Sequence, residues 1–280
     1  MKNNRLQTLL MAVGILAATL THAATAEGLA TQQEGLLRVA VYKDFPPYAD
    51  AGKGVDVALG RELARRLGLD AEIVAYAADE DMNDDLRNMV WKGHYLGTRP
   101  ADVMLHVPVD ERLAERNEQV KIFGPYHLES LAIARDPARV GPVTGSAARA
   151  LEVFTREKVG VETESLADGF LLSVLHGRLR ENVVHFTTVA DAVAAMQRGD
   201  VAAVMATQAE IEAALGQQTR FSVGPVDMPE LRIKGWPLGM AIKRDNTQLG
   251  EALTAAMIEI QRDGTLDRIF AEHGITRRTP

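Results

Sequence analysis

The segment from Pro100 to Arg112, PADVMLHVPVDER, constrains the fold more than any other part of this chain. Its first half, Asp102 to Val107, is a short apolar run typical of a strand that is buried on both faces. Pro108 has no N–H for a strand ladder, so the strand is predicted to end there. Acidic residues then open a helix, with Arg112 one turn in. A strand that leads through a loop to such a helix predicts an anion-binding arginine at the carboxyl edge of an α/β sheet.

The chain before this segment is predicted to run strand, helix, strand, which is the unit of a parallel sheet. Residues 36–42 are rich in β-forming side chains and give the first strand. Residues 54–67 carry apolar side chains at helical spacing, and Gly68 ends that helix. Residues 71–76 give the second strand. The pattern therefore predicts an α/β fold.

Two adjacent prolines, Pro46 and Pro47, occupy the loop between the first strand and the helix and exclude a helix there. They fix Phe45 and Tyr48 beyond the carboxyl end of the strand, where α/β sheets bind their ligands. The sequence leaves two interpretations open, because these rings could contact a ligand or could only pack the loop.

The N-terminal segment has the three parts of a secretory signal. A positively charged start is followed by an uncharged apolar run from Leu9 to Leu20 and by the small-residue motif Ala24-Thr25-Ala26. The run is shorter than the roughly 20 residues of a membrane span. We predict a cleaved signal peptide over residues 1–26, a disordered leader over residues 27–35 and a periplasmic protein that is not embedded in a membrane. An uncleaved N-terminal anchor is the alternative.

Composition excludes several classes of partner and site. The net charge of −7 argues against nucleic acid and anionic membranes as partners. The chain has no cysteine, so we expect neither disulfides nor a lipoprotein anchor. Its histidines lack metal-ligand spacing, and no motif of a zinc protease, serine hydrolase, P-loop or dinucleotide site occurs. We therefore predict no catalytic residues, no metal and no cofactor, and a protein that is not an enzyme.

Two polar stretches stay ambiguous in the sequence. The acidic run from Asp79 to Asp85 begins like a calcium loop but has Asp84 where such loops have glycine and Val90 where they have glutamate. A cation site and the acidic first turn of a helix over residues 84–91 both remain open. The loop from His94 to Arg99 could reach a ligand or a partner, or could have no role.

The chain resembles the extracellular solute-binding proteins of family 3, the polar amino acid type. Residues 107–112 resemble that family's T-I-T-x-E-R, with the arginine kept and the first threonine replaced by Val107. The resemblance covers residues 36–274. Its other motifs are the Y-P-P-F-like loop at 45–48, the G-F-D-V-like helix start at 54–57 and the returning strand at 235–243. Residues 264–270 resemble the family's closing D-G-T-x-x-x-I pattern.

This resemblance implies a type II periplasmic-binding-protein fold. Each lobe would have a mainly parallel five-stranded sheet with flanking helices, and two crossover strands would join the lobes. Lobe 1 is expected over residues 36–134 and 238–280, and lobe 2 over residues 135–237. The lobes would close on a ligand by rotation about the crossovers.

The resemblance also implies the roles of individual residues. Arg112 would clamp the carboxylate of the ligand, and Phe45 would stack on its apolar part. Thr207 stands where an amino acid binder has an aspartate for the ammonium, while Glu162 and Glu164 could substitute as a cation-binding pair. His106 could contact the ligand or be structural. The candidate ligand-binding residues are Phe45, Tyr48, His106, Val107, Arg112, Glu162, Thr163, Ser165, Thr207 and Trp236.

The function implied is that of a monomeric periplasmic solute-binding protein in amino acid transport. It would deliver a small carboxylate-bearing, amino-acid-like solute to the permease of an ABC transporter. The alternative is an accessory or maturation protein of a periplasmic quinoprotein (PQQ-dependent) dehydrogenase, because the strand at 102–108 resembles the D-V-V-M-G-V-P of a branch with that association. A dehydratase on the same fold is a third option, which the missing acid–base constellation disfavours.

Overall fold

The computed structural model describes residues 28–280. The signal peptide predicted over residues 1–26 therefore lies outside the described residues. Within the described part, no helix combines the length and the apolar character needed to cross a bilayer.

The described chain alternates strands and helices through most of its length. The strands are β1 (Leu36–Tyr42), β2 (Asp70–Tyr76), β3 (Val103–Pro108), β4 (Val120–Arg135), β5 (Val159–Glu162), β6 (Val183–Phe186), β7 (Ala203–Thr207), β8 (Ser222–Pro225) and β9 (Gly235–Lys243). The helices are α1 (Val55–Arg66), α2 (Met82–Leu86), α3 (Glu111–Arg116), α4 (Ala147–Ala150), α5 (Leu166–Ser173), α6 (Val189–Arg198), α7 (Gln208–Leu215), α8 (Thr247–Arg262) and α9 (Thr265–Glu272). A π-helical turn, Arg87–Trp91, continues α2.

The first lobe is a sheet in the order β2-β1-β3-β9-β4. Strand β1 pairs in parallel with β2 and β3, whereas β9 is antiparallel to both β3 and β4. Helices α1, α8 and α9 bury one face of this sheet, and α2 with the π-helical turn contributes to the core on the other face. The predicted five strands are present, and three of them form the parallel part.

The second lobe repeats this arrangement. Strand β5 is parallel to β6 and β7, and the end of β4 is antiparallel to β7 on one side and to β8 on the other. Helices α5 and α6 cover opposite faces, because their apolar side chains enter two different core clusters. The two-lobed α/β fold predicted from the sequence is therefore confirmed.

Strands β4 and β9 join the lobes as an antiparallel pair that runs from Val120 opposite Lys243 to Ser130 opposite Gly235. Strand β4 is 16 residues long and has a register shift between Phe123 and His127. Residues 131–135 already pair with β7 and β8. The strand thus enters the second lobe before the boundary expected at residue 134.

The described part of the leader also differs from the expected disorder. The Gln32 N–H donates to Asp102 Oδ1 at 2.8 Å, and Gln32 Nε2 donates to the Pro100 carbonyl at 2.9 Å. Leu29 packs against the first-lobe core. The buried Asp102 carboxylate at the start of β3 also accepts the Arg38 N–H, so the leader supplies one of the partners that this carboxylate requires.

The C-terminal tail after α9 connects the two lobes. Arg277 Nε donates to the carbonyl of Tyr126 at 2.7 Å, in the first-lobe part of β4. One residue earlier, the N–H of Thr276 donates to Glu212 Oε2 at 2.7 Å, and Glu212 lies on α7 of the second lobe. Arg278 reaches the same Glu212 carboxylate at 3.6 Å. The tail therefore forms a third connection beside β4 and β9.

Candidate functional site

The candidate site is the cleft between the lobes, where the carboxyl ends of their parallel strands lie. A cavity of about 680 Å³ occupies the cleft. Its first-lobe wall is formed by residues 108–110 at the end of β3, and its second-lobe wall includes Leu166 at the start of α5. Residues 232–237, which are the loop before β9 and the first residues of that strand, complete it. Such a volume is ordinary for a small-molecule site.

His106 is held at the end of β3 by a buried network. Its Nδ1 lies 3.0 Å from Oδ2 of Asp56, which is fully buried at the start of α1. The Tyr126 hydroxyl donates to Asp56 Oδ1 at 2.8 Å and accepts the His106 N–H at 3.0 Å. Burial, reinforced by Asp56, raises the pKa of Tyr126 well above its usual range. These contacts to Asp56 and Tyr126 fix the orientation of the imidazole ring.

The aromatic loop predicted from the two prolines packs directly around His106. The ring centroids of Tyr48 and Phe45 lie 4.2 Å and 5.0 Å from that of His106. The backbone of His106 has φ +63°, a left-handed conformation that is rare outside glycine and turns the residue out of the regular strand. Tyr48 is fully buried, so packing the loop is its role in this structure, whereas Phe45 is half-buried beside it.

Glu129 lies on β4, where that strand passes between the lobes. It is 1% exposed; its Oε2 accepts the hydroxyl of Tyr48, and its Oε1 accepts the N–H of Ser130 at 2.8 Å. Burial raises the pKa of the Glu129 carboxyl, against the lowering effect of the Tyr48 hydrogen bond. Directly opposite Glu129 in the β4–β9 ladder is Trp236, so both side chains lie on one face of the sheet.

In the second lobe, the parallel strands β5 and β7 end at Glu162 and Thr207. Thr207 caps α7, since its Oγ1 accepts the Glu210 N–H and donates to Glu210 Oε2 at 2.6 Å. Glu162 ends β5 and is half-buried. Burial raises the pKa of Glu210 to about 7; the nearby Glu162 and Glu129 carboxylates add to the rise, and the Thr207 hydrogen bond opposes it.

Arg112 and Val107, both predicted to line the carboxylate site, differ in their exposure to solvent. Arg112 is exposed, and its guanidinium makes no hydrogen bond or ion pair within residues 28–280. Asp110, a possible partner for it, instead caps α3 by accepting the Leu113 N–H at 2.8 Å. The side chain of Val107 is fully buried in the first-lobe core, and its contact with a ligand stays a prediction.

The hydroxyls predicted in the second-lobe turn are engaged locally. Thr163 Oγ1 donates to the Phe186 carbonyl at 3.1 Å, and Ser165 Oγ caps α5 by accepting the Asp168 N–H at 3.1 Å. The acidic run behaves in the same way, since Asp81 caps α2 by accepting the Asn83 and Asp84 N–H groups. These side chains are therefore committed to helix starts and to neighbouring backbone.

Sequence reasoning missed Asp56, Tyr126, Glu129 and Glu210 as parts of the site. Thr207 and Glu210 stand in a T-x-x-E pattern, the signature of a capped helix start, so Glu210 could have been found beside Thr207. Glu129 carries no such local signal. Its position depends on the pairing of β4 with β9, which brings distant segments together.

Comparison with known proteins shows similarity to solved structures only; no family model and no curated protein sequence matches the chain. An ancestral cationic amino acid solute-binding protein is 20% identical with a TM-score of 0.64, over 86% of this chain and 96% of that one. This chain has the two-lobed fold of a solute-binding protein. Substrate-binding domain 2 of Lactococcus lactis GlnP, in an open conformation, is 20% identical with a TM-score of 0.59, over 88% and 98%. An amino acid ABC transporter substrate-binding protein from Streptococcus pneumoniae, bound to L-arginine, is 18% identical with a TM-score of 0.58, over 88% and 97%.

Proposed function

We propose that this protein is a periplasmic solute-binding protein that captures a small, amino-acid-like solute between its lobes and delivers it to an ABC permease. The observation that carries the proposal is the cleft itself. It is lined from both lobes, lies at the carboxyl ends of the parallel strands and is bounded by the chain entering crossover strand β9. Ligands of α/β folds bind at such strand ends, and closure of two lobes would bury the solute.

The carboxylate of the solute is assigned to Arg112. Its guanidinium is exposed and makes no ion pair in the described part of the chain, so it is free to bind an anion. Arg112 follows residues 108–110, which line the cleft. A guanidinium forms two parallel hydrogen bonds to a carboxylate, which fixes orientation as well as charge. Phe45 and Trp236 would cover the apolar part of the solute.

Periplasmic location and a monomeric state belong to the same proposal. The location rests on the signal-peptide pattern of residues 1–26. Two solved structures with this fold are described as amino acid binders, which supports the class of solute without naming it.

A thermal-shift screen of the purified protein against the twenty L-amino acids tests this proposal, followed by calorimetry and small-angle scattering. We expect at least one amino acid to raise the melting temperature and to bind with one-to-one stoichiometry. The same ligand should reduce the radius of gyration, because the lobes close on it. A protein that none of the twenty stabilises would contradict the proposal.

An accessory role for a periplasmic quinoprotein dehydrogenase is the second candidate. Its supporting observation is the loop tip at Tyr95 and Leu96, whose side chains are 87% and 76% exposed. Large apolar side chains that lie side by side in water favour a protein contact. Co-purification of a dehydrogenase that is lost in a Tyr95→Ser, Leu96→Ser double variant, with no amino acid bound, would favour this role.

A further inference from the structure

A second cavity adjoins the cleft on the second lobe, and we call it the α5 pocket. It measures about 450 Å³ and is lined by residues 164–166, 169, 170 and 173, by residues 230–233 and by Leu131. Leu166, Arg232 and Ile233 line both this pocket and the cleft cavity, so the two spaces adjoin. Cavities of this size hold drug-sized molecules, so the α5 pocket has room for a substituent of a solute that lies in the cleft.

The α5 pocket presents apolar side chains to the space beside the cleft. Leu131 and Leu231 belong to the second-lobe core, and Phe170 packs against that core while also lining the pocket. Leu166 and Ile233 lie at the junction of the two cavities, and each is 51% exposed. Covering large apolar side chains that lie together in water is favourable, and such groups often mark a ligand-binding groove.

The charged residues around the two cavities distinguish an anionic end from an apolar end. Arg232 lies at the junction, is exposed and makes no hydrogen bond or ion pair within residues 28–280. Asp110, the one acidic residue that lines the cleft cavity in the described chain, is engaged in capping α3. The α5 pocket instead has two carboxylates in its lining, Glu164 and Glu230. These would repel a carboxylate of the solute, so its anionic end belongs in the cleft and its apolar end in the α5 pocket.

Gly169 keeps the α5 pocket open. A Cβ added at this position would meet no atom within 4 Å, and Leu166, Phe170 and Ser173 line the pocket from the same helix. Glycine is less favourable inside a helix than any residue except proline, so α5 itself gains nothing from it. A larger side chain at residue 169 would therefore occupy open space without harming the helix.

We propose that the α5 pocket is a subsite for a large apolar substituent of the captured solute. The substrate class is then an amino acid with a bulky apolar side chain, whose carboxylate stays in the cleft. Trp236 lines the cleft cavity and covers the first part of that side chain, and Leu166 and Ile233 contact it where it enters the α5 pocket. This inference rests on the proposed function and adds the substrate class to it.

Calorimetric titration with L-alanine, L-phenylalanine and L-biphenylalanine tests the subsite. These probes share the same carboxylate and ammonium groups and differ in the length of an apolar side chain. We expect the affinity to rise from L-alanine to L-phenylalanine by about tenfold or more, since a phenyl ring is withdrawn from water. The second ring of L-biphenylalanine should raise the affinity further, because it reaches the α5 pocket.

Gly169→Leu should close the α5 pocket while the protein stays folded, which a circular dichroism melting curve checks. It should weaken L-biphenylalanine by about tenfold or more, because the apolar area that the second ring buries is lost, and should leave L-alanine unchanged. Gly169→Ala is the matched control, since it favours the helix in the same way but adds only a methyl group. It should leave all three affinities unchanged.

Ile233→Ser tests the junction between the two cavities. It should weaken both aromatic probes and leave L-alanine unchanged, because only the longer side chains reach Ile233. Ile258→Ser is the control for this substitution, since Ile258 is 56% exposed on α8 and lines neither cavity. It should change none of the affinities.

L-biphenylalanine that binds no more tightly than L-alanine, or that Gly169→Leu does not weaken, would overturn the inference. Equal weakening by Ile233→Ser and Ile258→Ser would overturn it as well. If polar amino acids bind in the thermal-shift screen and the aromatic probes do not bind, the subsite fails while the proposed function stands. If no amino acid binds, both fail.

Discussion

Removing the hydroxyl of Tyr126 should destabilise the protein strongly although it deletes one atom. That hydroxyl is fully buried, donates to Asp56 at 2.8 Å and accepts the His106 N–H at 3.0 Å. A hydrogen bond to a charged group contributes about 1.5–3 kcal/mol, and an N–H left without a partner in the interior costs about 1–3 kcal/mol. Because the two effects share one atom and overlap, we expect Tyr126→Phe to cost about 3–4 kcal/mol.

Urea unfolding followed by circular dichroism measures this loss, with linear extrapolation to water. For a protein of this size the expected cost corresponds to a melting temperature lower by roughly 6–16 °C. Tyr95→Phe is the matched control, since Tyr95 is 87% exposed and makes no hydrogen bond through its hydroxyl within residues 28–280. It should change the unfolding free energy by less than about 0.5 kcal/mol. A cost below about 1 kcal/mol for Tyr126→Phe would refute the view that this hydroxyl holds His106 and Asp56 together.

Three further outcomes are expected. The pKa of Glu210 is raised from 4.5 to about 7, so the folded state holds this proton more tightly than the unfolded state does. The contribution of Glu210 to the free energy of unfolding should be complete below about pH 4.5 and should fall by up to about 3 kcal/mol as the pH rises to 7. Glu210→Gln should remove this fall when unfolding is measured at several pH values. Arg112→Ala should weaken the binding of a carboxylate-bearing solute by about tenfold to a hundredfold in calorimetry, and Arg112→Lys should weaken it less. Neither variant should change the free energy of unfolding. An unaltered affinity in Arg112→Ala would remove Arg112 from the site. Thr207→Ala should cost about 1 kcal/mol in urea unfolding, through the lost cap of α7, and no cost would contradict the capping geometry.

Local sequence signals located the elements of the fold well. Strand β1 was predicted over the residues that form it, 36–42, because β-forming side chains fill it and a proline loop follows. Strand β3 ends at Pro108, and α1 lies inside the predicted range 54–67. In each case the deciding signal is a few residues long, so neighbours in the chain suffice to read it.

Features that depend on pairing across the chain could not be predicted in this way. The single long strand β4 is stabilised by β9, which follows about a hundred residues later, so neighbouring residues do not reveal its length. Val107 was matched by motif position, but its direction depends on the left-handed backbone of the preceding His106, which no local pattern revealed. Glu129 and Glu210 approach each other only when β4 pairs with β7.

The C-terminal tail has a consequence for the free energy of ligand capture. Two lobes joined by a pair of strands alone could sample many relative orientations, and a closing ligand would have to offset the loss of that entropy. Here Thr276 and Arg277 attach the tail to α7 and to β4, so the ligand-free lobes have fewer orientations to lose. A preorganised pair of lobes lets a given set of contacts yield tighter binding. Shortening the tail before Thr276 should therefore broaden the distribution of lobe orientations and weaken every solute by a similar factor, whatever its charge.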